Sequence, residues 1–129
     1  MQNDIILIGT ELSGLSYMNM LLAQKGYRLT LLRDPHRAEE IIVQQRPSLI
    51  IIDDQPDALP ALQLCQQLKN NAAIAAIETI LLLPYANGQA NKVINEACGA
   101  NVLTKPILPH LLLELVGQLT VNASEEETE

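Results

Sequence analysis

Pro47-Ser48-Leu49-Ile50-Ile51-Ile52-Asp53 is the stretch that decides the fold. Four consecutive large apolar residues between a proline and an aspartate fit a strand buried on both faces. It is the most apolar run in the chain and reads as the central strand. A strand of this kind needs packed layers on either side.

The segments around it agree. Upstream, residues 5–8 form a second fully apolar run. Leu12, Leu15, Met18, Leu21 and Leu22 then recur at helical spacing, and Gly26 follows as a stop signal. Residues 28–32 read as a short strand. Asp34 and Pro35 read as a helix N-cap and first helical residue. The helix they open turns Ala38, Ile41 and Ile42 inward and ends before Pro47. Downstream, a loop rich in Asp and Pro spans 53–60. A helix over 61–68 places Leu62, Cys65 and Leu68 on one side. Residues 70–76 connect to a strand at 80–83, a turn at 84–88, a helix at 90–97 and a short strand at 102–103. Pro109 opens the last helix, which runs to about Thr120.

Strand and helix thus alternate along the whole chain. Such alternation implies a parallel sheet with right-handed crossovers and helices on both faces. Ligands of such sheets bind at the carboxyl ends of the strands. Those ends here are residues 9–11, 53–54, 83–85 and 104–106, and chemistry is expected there.

The 129 residues suit one domain with a core of its own. Hydrophobic residues are 48% of the chain and aromatics only 2%, so the core is aliphatic. Few aromatics and no basic stripe argue against nucleic-acid binding. The net charge is −7, but Glu125, Glu126, Glu127 and Glu129 crowd the end. Residues 121–129 therefore read as an acidic, disordered tail or the start of a linker, with the domain proper at 1–120. Cys65 and Cys98 lie in no CxxC pair or Cys/His cluster and fit buried thiols in a reducing cytosol. No run approaches the length of a membrane span, and the N-terminus lacks the positive region of a signal peptide. The expected location is cytoplasmic.

Asp53 ends one apolar strand, and Lys105, within Leu103-Thr104-Lys105-Pro106, ends another. With Gly26-Tyr27 before the second strand and Leu64-Cys65-Gln66-Gln67-Leu68-Lys69 in the third helix, this pairing resembles the receiver domain of bacterial two-component response regulators. The likeness runs from residue 5 to about residue 119. It implies a flavodoxin-like, doubly wound α/β fold: a five-stranded parallel sheet of order 2-1-3-4-5 with about five helices. It also implies that Asp53 stands where a histidine kinase delivers a phosphoryl group, and that Lys105 pairs with it. The Lys-Pro bond is commonly cis in that family. Phosphoryl transfer to a carboxylate needs cations to offset the charge on the phosphoryl oxygens. Lys supplies one, and a Mg²⁺ ion held by carboxylates supplies more.

The sequence departs from the family at three places. The acidic pair that holds Mg²⁺ after the first strand is replaced by Gly9 and Thr10, with only Glu11 acidic beside them. The Ser or Thr hydroxyl at the end of the fourth strand is replaced by Leu83 or Pro84. The aromatic that swings inward on the fifth strand is replaced by Val102, whose branched side chain is stiff. The proline of Asp54-Gln55-Pro56-Asp57 also stands one position earlier than in the family. Together these losses remove both the chemistry and its readout, so the chain reads as a degenerate, pseudo-receiver domain.

Several residues carry weaker signals. Glu11, Asp53 and Asp54, with Asp57, are the candidates for a rebuilt cation site, but strand alternation turns Asp54 away from Asp53. The expectation is no metal, with Mg²⁺ only if the phosphoacceptor works. Gly9 and Gly14 match the outer glycines of a P-loop, yet Leu15 stands at the lysine position. The stretch 9–16 faintly resembles a flavodoxin phosphate loop, for which Tyr85 is the one well-placed aromatic. His36 and His110 lie in first turns of helices and read as exposed. Of Met18 and Met20, at most one faces the core.

The expected function is a receiver-like domain of phosphorelay signalling. It is not an enzyme, has no cofactor, and acts through protein–protein contact. Partners would be a histidine kinase, a downstream effector or a second copy, and neither nucleic acid nor membrane. The alternatives are a working phosphoacceptor using Asp53 and, more remotely, a flavodoxin-like small-ligand binder. In the receiver family the contact face is built from the last two helices and the fifth strand. Leu111, Leu112, Leu113 and Leu115 are too dense for one helical stripe, so some of them are expected on that surface.

Overall fold

Strand β3 (Leu49–Asp53) is buried along its entire length. It lies between β1 (Asp4–Ile8) and β4 (Glu78–Leu83), flanked in turn by β2 (Arg28–Leu32) and β5 (Asn101–Thr104). The sheet order is β2-β1-β3-β4-β5, and every neighbouring pair is parallel. The computed structural model describes residues 4–54, 60–84 and 99–128.

Alternation along each strand divides the core into two layers. Ile6, Ile8, Ile50, Ile52, Leu81 and Leu83 face α2 (Ala38–Gln45) and α3 (Ala61–Lys69). Ile5, Leu7, Leu49, Ile51, Ile80 and Leu82 face α1 (Leu12–Ala23) and α4 (Pro109–Thr128). Each fully buried Leu or Ile stabilises the fold by roughly 1.5–3 kcal/mol relative to exposure. The doubly wound arrangement expected from the sequence is therefore the observed one, with four α-helices among the described residues. The helix expected at 90–97 lies outside the described residues.

Local signals act as expected at most helix ends. The Asp34 carboxylate accepts from the His36 backbone N–H at 3.0 Å, and Pro35 follows it. This cap opens a single 3₁₀ turn, Pro35–Arg37, which leads into α2. Helix α2 stops at Arg46, which adopts a left-handed φ of 48° just before Pro47. Gly26 takes a φ of +92° in the turn after α1, a conformation that costs glycine nothing.

Two expectations change in detail. In α3 the fully buried residues are Ala61, Leu64, Cys65 and Leu68, and Leu62 is only partly buried. Of Met18 and Met20 only Met18 is buried, as expected. Helix α4 continues beyond the expected end near Thr120 to Thr128, into the segment read as an acidic tail. Ala and Glu in that segment are good helix formers.

At Thr120 the helix is tied to the turn before β2, on the same face of the sheet. The Thr120 hydroxyl donates to Val116 O at 2.8 Å, so the Tyr27 hydroxyl donates to Thr120 Oγ1 at 3.0 Å.

Candidate functional site

Asp53 is the last residue of β3, and its parity places it on the α1/α4 side of the sheet with Ile51. It is 4% exposed. Lys105 follows β5 directly. Its backbone N–H donates to Leu83 O at 2.8 Å, which fixes the strand end against β4. Its ammonium lies 2.5 Å from Asp53 Oδ1 and also donates to Asp54 O at 3.3 Å. The Lys105–Pro106 peptide is cis. The structure thus brings together the two residues that the sequence placed at strand ends.

The other candidates are not brought to them. Asp54 turns to the opposite face, as alternation requires, and its carboxylate accepts from Ala61 N at 2.9 Å. It therefore satisfies an N–H at the start of α3 that would otherwise lack a partner. Glu11 is exposed, and its carboxylate accepts from the Ser13 hydroxyl at 3.3 Å. Ser13 accordingly turns back on Glu11, and the first turn of α1 has no acidic residue. Asp57, Tyr85 and Cys98 lie outside the described residues.

A receiver's cation site therefore does not fit these residues. Gly9 and Thr10 bring no side-chain carboxylate, Asp54 is engaged at α3, and Glu11 bends over its own helix. Among the described residues no three His, Cys, Asp or Glu side chains are grouped so as to hold a metal ion.

Gly9 has a role the sequence reading missed. A Cβ at this position would lie 3.1 Å from Asp53 Cβ, 3.1 Å from Leu15 Cδ2 and 3.6 Å from Asp53 Oδ2. The missing side chain makes room for the aspartate. On the neighbouring side, Arg33 Nη2 donates to Thr10 O at 3.3 Å.

The positions of the family's hydroxyl and aromatic are apolar. Leu83 is buried in the core, and Val102 packs partly buried against the same layer, beneath α2 and α3. His36 and His110 are both exposed.

The leucine run on α4 needs correction. Leu112 is fully buried, and Leu113 and Leu115 pack partly buried against the α1/α4 core layer. Only Leu111 of the four is exposed, at 43%. The helical turn that puts Leu112 and Val116 inward leaves Leu111 at the rim. Leu108, which precedes the helix, is 49% exposed beside it. Lys105, Pro106, Leu108 and Leu111 border a groove of about 350 Å³ between β5 and α4.

No family model matches the chain. Solved structures do. The signal receiver domain of a signal transduction histidine kinase from Syntrophus aciditrophicus is 25% identical, with a TM-score of 0.80 over 92% of this chain and 90% of that one. A CheY-like response regulator receiver domain protein from Methanospirillum hungatei is 19% identical, with a TM-score of 0.82 over 98% and 99%. The chemotaxis protein CheY4 of Vibrio cholerae is 18% identical, with a TM-score of 0.81 over 92% and 99%.

Proposed function

We propose that this chain, a receiver domain of the CheY-like fold, serves two-component signal transduction through protein–protein contact, and that Asp53 and Lys105 form a structural ion pair. The observation that carries this reading is the apolar lining on the Gly9 side of Asp53. Its ammonium partner is in place, while the opposite side offers Gly9 and a leucine methyl.

Phosphoryl transfer to a carboxylate develops charge that must be offset where it forms. Mg²⁺ sheds its waters reluctantly and is usually held by at least one or two placed carboxylates. Among the described residues Asp53 is the single carboxylate beside Lys105, and it already neutralises that ammonium. The hydroxyl expected at the end of β4 is absent from Leu83 and Pro84. Loss of one such electrostatic donor costs roughly 10²–10³ in rate in a related setting.

The output follows from the same residues. A ligand or modification shifts a conformational equilibrium only through differential affinity for two states. Val102 is stiff at χ1 and packs partly buried against the core, so it makes a poor rotating switch. The reading is therefore a domain whose binding surface is formed already, without catalysis or cofactor. Its partner is a protein: a kinase, an effector or a second copy. Among the described residues no helix is long and apolar enough to cross a membrane. We place the domain in the cytoplasm as part of this proposal.

The survival of Asp53 and Lys105 as a pair favours one second reading, a phosphoacceptor with an unusual metal site. Titration with Mg²⁺, followed by amide NMR, separates the two. The structural-pair reading expects no saturable one-to-one shift at millimolar Mg²⁺. A saturable site centred on Asp53 would favour the phosphoacceptor.

A further inference from the structure

We infer that Leu15 closes the cation side of the Asp53 site, and that Gly9, Leu15 and Asp53 form one packing unit that a returned acid at position 9 cannot enter. The inference rests on the structural-pair reading above and adds a residue to it. The lost carboxylates are then only half of the difference from a metal-binding receiver; the other half is a leucine filling the space.

The geometry is specific. Gly9 is buried between the end of β1 and α1. Its φ lies outside the left-handed region taken by Gly26 and Gly99, so any residue tolerates its backbone. What a side chain there lacks is room. Its first carbon would meet Asp53 Cβ and Leu15 Cδ2, each at 3.1 Å, closer than ordinary carbon–carbon contact. Asp53 Cβ is tied to the main chain of the central strand and has little freedom. Leu15 is fully buried in the α1/α4 layer. Its methyl therefore takes the volume through which a residue-9 carboxylate would reach Asp53. An apolar group against the carboxylate also opposes a hydrated cation, because burying charge beside it without new ligands is unfavourable.

The unit predicts a coupling that a merely structural Leu15 would not show. Gly9→Ala should lower Tm by on the order of 5–10 °C, as overpacking of a tight core does. In a Leu15→Val background, which removes the contacting methyl, the same substitution should cost less than half as much. Simple addition of the two losses would overturn the inference. Leu15→Val is chosen because it keeps most of the side chain and hence the fold.

The second arm uses Mn²⁺ alone as a paramagnetic probe of amide resonances. Gly9→Asp should show no site-specific broadening around Asp53, and Gly9→Asp/Leu15→Val should show one-to-one broadening there. Broadening in the single variant, or in neither of two folded variants, would contradict the plug. Wild-type protein serves as the separate control. Mn²⁺ broadening at Asp53 in wild type would sink the structural-pair reading, whereas additive Tm losses would sink only the packing unit.

Discussion

The Lys105 ammonium sits 2.5 Å from Asp53 Oδ1, with the aspartate buried and about a third of the lysine side chain exposed. The pair closes the carboxyl edge of the sheet between β3 and β5, which do not touch each other in the strand order. Its Coulomb attraction is partly offset by desolvation, so its net contribution to stability is modest. Its loss is not symmetrical.

Removing the lysine takes the ion-pair partner from a buried carboxylate. Lys105→Ala should destabilise the domain by about 2 kcal/mol, less than the full cost of breaking a buried pair because the lysine is partly in water. Asp53→Ala/Lys105→Ala should recover part of that loss, since neither charge is then left alone. Urea denaturation of the four proteins measures this cycle. Strict additivity would mean that the two groups do not interact energetically.

A pH-dependent contribution to stability lies on a carboxylate far from this edge. Glu39 of α2 accepts from Gln67 Nε2 at 3.0 Å and from Asn71 Nδ2 at 2.7 Å. These hydrogen bonds hold its carboxyl below the ordinary carboxylate value. A group with a depressed folded pKa stabilises fully above its unfolded pKa and loses that contribution as pH falls through the folded value. Glu39→Gln should therefore lower Tm slightly at neutral pH and flatten its decline below about pH 4.5, so that the two curves converge in acid. An identical acid limb in the variant would show that the network carries no linkage.

Leu111 and Leu112 are adjacent in sequence and opposite in consequence. Leu112→Ala should cost about 2–5 kcal/mol, because it empties a fully buried site in the α1/α4 layer. Leu111→Glu should stay within about 0.5 kcal/mol of wild type. If the rim of the β5–α4 groove is the contact face, Leu111→Glu weakens partner binding or self-association while Asp53→Ala leaves it nearly unchanged. Sedimentation and pull-down of both variants give the answer. Binding lost in a folded Asp53→Ala protein and kept in Leu111→Glu would move the working site to the Asp53 pocket.

These residues also show how far the sequence was legible. Uniform apolar runs at 49–52 and 5–8 identify buried parallel strands, and the sheet order followed from the likeness that Asp53 and Lys105 carry. Where both faces of a strand are apolar, however, the sequence carries no alternation to say which face meets which helix. Helical phase is ambiguous for the same reason. Leu62 and Leu64 compete for the core in α3, and four leucines compete in α4; packing chose Leu64 and Leu112. The Gly9–Leu15–Asp53 contact was not legible at all. It arises from three segments meeting, and a glycine at a strand end looks like a turn residue until its neighbours are known. The one signal available was the pairing of Gly9, where the family has an acid, with an apolar residue one turn into α1.

The central claim is that Asp53 is a structural partner of Lys105 and accepts no phosphoryl group, and intact-protein mass spectrometry tests it most directly. The protein is incubated with acetyl phosphate and Mg²⁺, alongside Asp53→Asn. The account predicts an unchanged mass for both proteins. A mass gain of one phosphoryl group in wild type, abolished in Asp53→Asn, would contradict it and establish the domain as a working phosphoacceptor.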